Sequence, residues 1–96
     1  MYRVVFTRAA NADIIDAFGW YAQHVPGMIP HLKQELRLIQ QRISENPMQF
    51  PACANDIRRA LTRRFPYFVV FRTRGDAVYI LAFLHTSRDP AVWQGR

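Results

Sequence analysis

A change of hydrophobic period at Asn46-Pro47 constrains the fold of this chain more than any other feature. Before this dipeptide, apolar residues recur every three or four positions, which is the spacing of one face of an α-helix. After it, short runs of β-branched and aromatic residues are separated by turn residues, a pattern typical of β-strands. Because the residue before a proline is pushed out of the α region, Asn46-Pro47 separates a helical part from a strand part.

The helical part divides into two helices. Thr7 is a suitable N-cap for the first helix, and Pro26-Gly27 ends it. Pro30 suits the first turn of the second helix. The apolar stripes are Ala10, Ile14, Ala17, Phe18, Tyr21 and Val25 in the first helix, and Leu32, Leu36, Ile39 and Ile43 in the second. The short connection between the two helices predicts an antiparallel helical hairpin.

Four segments have the composition of strands: residues 2–6, 57–64, 67–73 and 77–85. Pro51 predicts an irregular stretch before the last three. Gly75 supplies the positive φ of a tight hairpin between the final two strands, and Phe65-Pro66 forms the preceding turn. The sequence therefore predicts an α+β fold of order β-α-α-β-β-β, with the helical hairpin packed on one face of a small twisted antiparallel sheet.

The size and apolar content of the chain predict a single domain, residues 1–96, with its own core. The longest apolar run, Val78 to Leu84, is far shorter than the roughly 20 residues that span a bilayer. Residues 1–3 open a strand-like stretch and do not resemble a signal peptide. Together with a lone Cys53, which forms no intrachain disulfide, these features predict a cytoplasmic protein without a membrane partner.

Arginine dominates the charge of the chain, which is +6, since twelve of its thirteen basic residues are arginine. The planar guanidinium suits bidentate contact with carboxylates or phosphates, so the partner is expected to be an acidic protein or a nucleic acid. Six arginines lie between positions 57 and 74. Alternation along a strand sends Arg58 and Arg64 to one face of the sheet, and Arg59 and Arg63 to the other. Two interpretations stay open: an edge strand protected by charge, or a surface that contacts anions.

A second group of polar residues follows the last predicted strand, where His85, Arg88, Asp89 and Trp93 reach the rim of the sheet. His85 and Arg88 suit acid-base work and stabilisation of a phosphoryl transition state. The same residues equally suit a cap, a structural histidine and a packing tryptophan.

Several other sites are not supported by the residues. The three histidines and the single cysteine lack metal-ligand spacing, and no nucleotide or dinucleotide fingerprint occurs, so neither a metal nor another cofactor is expected. Asp13 and Asp16 are expected to favour the dipole at the start of the first helix, without a catalytic role. Ile15 and Trp20 fall outside the apolar stripe of that helix. They indicate either a protein-binding patch or a broader buried face.

The order of elements and two motifs resemble the RelE/ParE superfamily of toxins, nearer to its ParE side. The first motif is Arg-Arg-Ala-Leu-Thr-Arg-Arg-Phe-Pro-Tyr-Phe-Val-Val-Phe-Arg, residues 58–72. The second is His85-x-x-Arg88-Asp89-Pro90-x-x-Trp93. The resemblance covers essentially the whole chain, and the long helical hairpin is more similar to that of ParE than to that of RelE.

The resemblance implies a toxin of a type II toxin-antitoxin pair, neutralised by a ParD-like antitoxin that wraps the helical hairpin and the sheet. It implies a hetero-oligomer that binds DNA only through the antitoxin. The residues expected to contact the antitoxin are Phe18, Trp20, Arg58, Arg59 and Arg63. Arg88 and Trp93 are expected to contact the target.

Two activities occur in this superfamily: inhibition of DNA gyrase, as in ParE, and ribosome-dependent cleavage of mRNA, as in RelE. In a RelE-like nuclease, Arg59, His85 and Arg88 would be the catalytic candidates. However, Leu61 and Phe68 occupy positions that resemble basic ones in the nuclease branch, and Trp93 replaces a tyrosine and has no ionisable hydroxyl.

Gyrase inhibition without a hydrolytic site is therefore the favoured expectation, and whether the chain is an enzyme stays open. Two further alternatives are a module that binds nucleic acid on its own and a ribonuclease that needs no ribosome. The first predicts salt-sensitive binding of the chain alone to duplex DNA. The toxin interpretation predicts DNA binding only with the antitoxin present.

Overall fold

The computed structural model describes all 96 residues, and its two helices begin and end close to the capping and proline residues that predicted their ends. Helix α1 runs Arg8–His24, and the Thr7 hydroxyl accepts a hydrogen bond from the Ala10 N–H, as expected of an N-cap. A short 3₁₀ turn, Pro26–Met28, leads directly into α2, which runs Ile29–Glu45. Asn46 ends α2, and the predicted hairpin is confirmed.

The sheet has five strands in the order β1-β5-β4-β3-β2. Their bounds are Arg3–Phe6 for β1, Ala52–Ala54 for β2, Ile57–Leu61 for β3, Tyr67–Arg74 for β4 and Ala77–His85 for β5. The α+β class and the helical hairpin on one face are confirmed, and β3, β4 and β5 form the predicted antiparallel meander.

The predicted all-antiparallel sheet is wrong at its first strand, because β1 pairs with β5 in parallel. Parallel neighbours need a long crossover, and the chain between these two strands contains both helices and three strands. The prediction also missed β2. Here Asn55, at φ 23°, turns the chain so that residues after Pro51 pair with β3.

Strand β3 ends three residues earlier than predicted, at Leu61, for a reason that lies in α2. The carboxylate of Glu35, which is only 6 % exposed, accepts hydrogen bonds from the backbone N–H groups of Arg63 and Arg64. These donors therefore do not join the sheet ladder. The predicted alternation of faces does not extend to Arg63 and Arg64, which lie in the turn between β3 and β4.

Both faces of the sheet are packed. The face toward the helices carries the larger core, which includes Val69, Phe71 and Ile80. The opposite face, here called the second face, buries a smaller group: Phe68, Val70, Leu81, Ala82 and Leu84. Val92 and Trp93 of the tail, residues 86–96, pack against this second group. Neither α1 nor α2 contains an apolar stretch of the length that spanning a bilayer requires.

A β-bulge in β5 sets the shape of the sheet edge. Val70 of β4 pairs with Ala82, but the next residue, Phe71, pairs with Ile80, so Leu81 is the extra residue. Its side chain lies on the second face together with that of Ala82. Bulges bend a strand and increase its twist. Pairing with β1 stops at Ile80, directly before the bulge, and leaves the last five residues of β5 with an open edge.

Candidate functional site

A groove of 390 Å³ lies between α1 and the open end of β5, and it is here called the α1–β5 groove. One wall is α1, and the other is the end of β5 with the residues that follow it. The groove is lined by Asp13, Asp16, Ala17, Trp20, Tyr21, Tyr67, Phe83, Leu84, His85, Ser87 and Arg88. Apolar walls with a few convergent polar groups are typical of binding sites.

Aromatic rings form the floor of the groove. The rings of Tyr67 and Phe83 stack with centroids 4.8 Å apart, and Tyr21 meets Phe65 edge-on at 5.5 Å. Burial, with smaller effects from the charge and hydrogen bond of Tyr21, raises the pKa of the Tyr67 hydroxyl above its ordinary value of 10.0. The floor is therefore uncharged at neutral pH, which suits an apolar or aromatic side chain.

His85 and Arg88 form the rim where β5 ends. The Nδ1 atom of His85 lies 3.1 Å from the Ser87 backbone nitrogen and 2.8 Å from the Ser87 hydroxyl. Because a backbone N–H can only donate, Nδ1 accepts, and a neutral ring carries its proton on Nε2. The backbone N–H of Arg88 donates to the His85 carbonyl at 3.0 Å, and this hydrogen bond closes the turn. Arg88 itself is exposed and lies in the groove wall.

Trp20 forms the outer wall of the groove and is 50 % exposed. Its ring stacks on that of His24 with centroids 4.4 Å apart, and His24 Nδ1 lies 2.8 Å from the Trp20 carbonyl oxygen. Phe18, the other predicted helix contact, packs against the main core. The two side chains project about 200° apart around the helix and do not share a surface.

The three arginines predicted to contact the antitoxin do not form one surface. Arg58 faces the helices, and its guanidinium donates to the Phe50 carbonyl at 2.6 Å. Arg59 lies on the second face, with its guanidinium 4.1 Å from the centroid of the Phe68 ring. Arg63 is exposed beside α2.

Two more arginines of the same stretch are paired with an acid. The carboxylate of Asp56 lies 3.3 Å from Arg72 and 3.7 Å from Arg74.

Of the three residues expected to act together in a nuclease, one is separated from the other two by the sheet. His85 meets Tyr67 edge-on at 5.5 Å on the helix side, where Arg88 also lines the groove, whereas Arg59 is on the opposite face. Trp93, expected to contact the target, is half-buried and packs against the second face. Nor does any group of three His, Cys, Asp or Glu side chains lie close enough to hold a metal ion.

Sequence reasoning missed four residues of this region: Asp13, Tyr21, Tyr67 and Arg96. Asp13 was expected to favour the dipole at the start of α1, but no acid lies in the first turn of this helix. Its carboxylate instead accepts the Phe83 N–H at 3.1 Å and pairs with Arg96 at 2.5 Å. Tyr21 had been assigned only to the apolar stripe. No local pattern reveals the contacts of Asp13, because they join residues 70 or more positions apart.

Comparison with known proteins gives three consistent findings. The model of the family described as the ParE toxin of type II toxin-antitoxin system, parDE, matches residues 4–90. Proteins named Toxin ParE2 from two strains of Mycobacterium tuberculosis are 32 % identical over 79 residues, covering 81 % of this chain and 75 % of theirs. A solved structure described as the chromosomal ParDE TA system from P. aeruginosa matches with a TM-score of 0.76 and 21 % identity. The match covers 88 % of this chain and 96 % of that chain, and it supports the fold.

Proposed function

The chain belongs to the ParE toxin family of type II toxin-antitoxin systems, and we propose that it is inhibited by a ParD-like antitoxin and acts on DNA gyrase. This toxin would work in the cytoplasm, in a hetero-oligomer with the antitoxin. The observation that carries the proposal is the α1–β5 groove, which combines an aromatic floor, an exposed Trp20 and a rim arginine, Arg88.

Antitoxin binding is supported by the shape and charge of the chain. A groove with exposed aromatic walls offers the anchoring pockets that dominate protein interfaces. The net charge of +6 favours an acidic partner and increases its rate of association. Of the residues proposed from sequence, Trp20 lies in the groove, whereas Arg63 is exposed beside α2 and would form a second, separate contact.

Gyrase is favoured over the ribosome because Arg59 does not share a site with the other two nuclease candidates, His85 and Arg88. Acid-base catalysis needs its groups within hydrogen-bond reach of one reacting atom. With Arg59 and His85 on opposite faces of the sheet, they do not meet around one phosphate. Arg88 remains the proposed target contact, and Trp93 would act indirectly by holding the tail against the second face.

The test is controlled expression in a bacterium that lacks the antitoxin, with growth, DNA supercoiling and message integrity followed in one culture. Growth arrest with impaired supercoiling and intact messages is the expected result. Early cleavage of messages at specific codons would move the target to the ribosome, and the absence of arrest would contradict the toxin function. Arg88→Ala is expected to abolish toxicity, whereas Arg74→Ala, which removes the same charge from an exposed site elsewhere, is the matched control.

Binding to duplex DNA separates the toxin from a nucleic-acid binding module. We expect retention of operator DNA only when toxin and antitoxin are mixed. Binding by the chain alone, weakening steeply with salt, would instead indicate a phosphate-binding module.

A further inference from the structure

The open edge of β5 carries backbone groups without a neighbouring strand. Beyond Ile80, pairing with β1 has ended, so residues 81–85 have no strand on this side, and Phe83, Leu84 and His85 line the α1–β5 groove. The Phe83 N–H points to this side, and alternation along the strand places the His85 N–H on the same side. An edge of this kind is a template for pairing with another extended chain.

Two side chains occupy the hydrogen-bonding positions that a partner strand would fill. The Asp13 carboxylate accepts from the Phe83 N–H at 3.1 Å, as a strand carbonyl would. The Arg96 guanidinium donates to the Leu81 carbonyl at 3.2 Å, as a strand N–H would. Arg96 also binds both oxygens of Asp13, at 2.5 Å and 3.3 Å, so the two side chains form one bidentate unit.

We propose that the Asp13–Arg96 ion pair blocks the open edge of β5, and that an extended segment of the antitoxin pairs with this edge by displacing both side chains. This inference rests on the antitoxin partnership proposed above, and it adds the strand edge that the antitoxin binds and the ion pair that competes for that edge. Strand addition gives affinity through backbone hydrogen bonds and specificity through alternate side chains. Here alternate side chains of the segment would reach the Tyr67–Phe83 floor.

The chemistry of the groove fits such a segment at both ends. An apolar or aromatic side chain would cover the uncharged floor, and a carboxylate would pair with Arg88 at the rim. A segment bound there would cover Arg88, which is the proposed target contact. Antitoxin binding and loss of toxicity would then share one site.

The position of the Arg96 side chain depends on Gly95. This residue has φ +90°, a conformation that side chains with a Cβ rarely adopt, and it turns the tail so that Arg96 reaches β5. Gly95→Ala should therefore displace Arg96 while keeping its charge. Arg96→Ala removes the charge as well, so the two variants separate position from electrostatics.

The experiment measures the affinity of the full chain for the antitoxin encoded beside its gene, together with amide hydrogen exchange in the complex. Arg96→Ala and Gly95→Ala are each expected to bind about threefold to fivefold more tightly than the parent chain, because a partly buried ion pair no longer competes. Arg37→Ala, an exposed charge loss on α2, is the control and should bind equally or slightly more weakly. The Phe83 and His85 amides should be more protected in the complex than in the free chain.

Each other result contradicts a particular step. Unchanged exchange at Phe83 and His85, or new protection confined to β2, would overturn strand addition at β5. If both variants bind like Arg37→Ala, Arg96 does not compete. If the unaltered chain forms no complex at all, the partnership itself is wrong and the inference falls with it.

Discussion

Glu35 provides the sharpest stability test, because it joins α2 to the turn between β3 and β4. Its buried carboxylate accepts the N–H groups of Arg63 and Arg64. We expect Glu35→Ala to lower the free energy of unfolding more than removal of the other carboxylate of α2, that of Glu45. Glu45, on the same helix, is the matched control because it is exposed and bonds only to Gln41.

The magnitude follows from the two hydrogen bonds. A hydrogen bond to a charged group contributes about 1.5–3 kcal/mol. The lower value applies here because Arg63 and Arg64 are exposed and water partly replaces the lost acceptor, so two bonds give about 3 kcal/mol. Glu35→Gln keeps an acceptor oxygen without the charge, and neutral bonds are roughly half as strong, so it should cost about 1.5 kcal/mol.

Urea unfolding of the four proteins, monitored by tryptophan fluorescence and circular dichroism, measures these differences directly. The expected order is parent, Glu45→Ala within about 0.5 kcal/mol of it, Glu35→Gln and then Glu35→Ala. For a chain of this length, about 3 kcal/mol corresponds to a fall in Tm of roughly 12 °C or more. A Glu35→Ala protein as stable as Glu45→Ala would refute the assigned role of these bonds.

Three further substitutions test other parts of the structure. The pKa of Tyr67 is raised in the folded chain, so the unfolded chain loses the hydroxyl proton at a lower pH than the folded chain does. The free energy of unfolding should therefore fall as pH rises above 10. Tyr67→Phe should make this fall smaller in unfolding curves measured at alkaline pH. Phe71→Ala, at a fully buried site, should lower the free energy of unfolding by about 3–5 kcal/mol in urea, and a loss below 1 kcal/mol would contradict its place in the core. Gly75→Ala, at φ +57°, should cost about 1 kcal/mol in thermal unfolding, whereas Gly27→Ala, at an ordinary φ, should be nearly neutral.

Local signals located the elements of this fold well. Thr7, Pro26, Pro30 and Asn46-Pro47 act within a few residues of themselves, so the helix bounds could be predicted from neighbours alone. The strand prediction was less accurate where a distant residue intervenes. The end of β3 at Leu61 depends on Glu35, which is 28 and 29 positions from the N–H groups that it binds.

The candidate site depended more strongly on tertiary contacts. Sequence reasoning named Trp20 and Arg88 as binding candidates, and the structure finds both exposed and lining one groove. It grouped Arg59 with His85, yet the sheet separates this pair. Strand alternation had assigned Arg58 and Arg59 to different faces. It could not reveal that Arg58 is bound to Phe50 and Arg59 lies over Phe68.

The sequence by itself determined the helical hairpin, the antiparallel meander, the basic character and the family resemblance, because periodicity, turn residues and motifs are local properties of the chain. Only the tertiary structure decided that β1 joins β5 in parallel, that a bulge at Leu81 leaves the end of β5 open, and that Asp13 and Arg96 meet there. The β1–β5 pairing and the Asp13–Arg96 contact join residues 70 or more positions apart. Their pairing is selected by the packing of the whole sheet, which no short segment encodes.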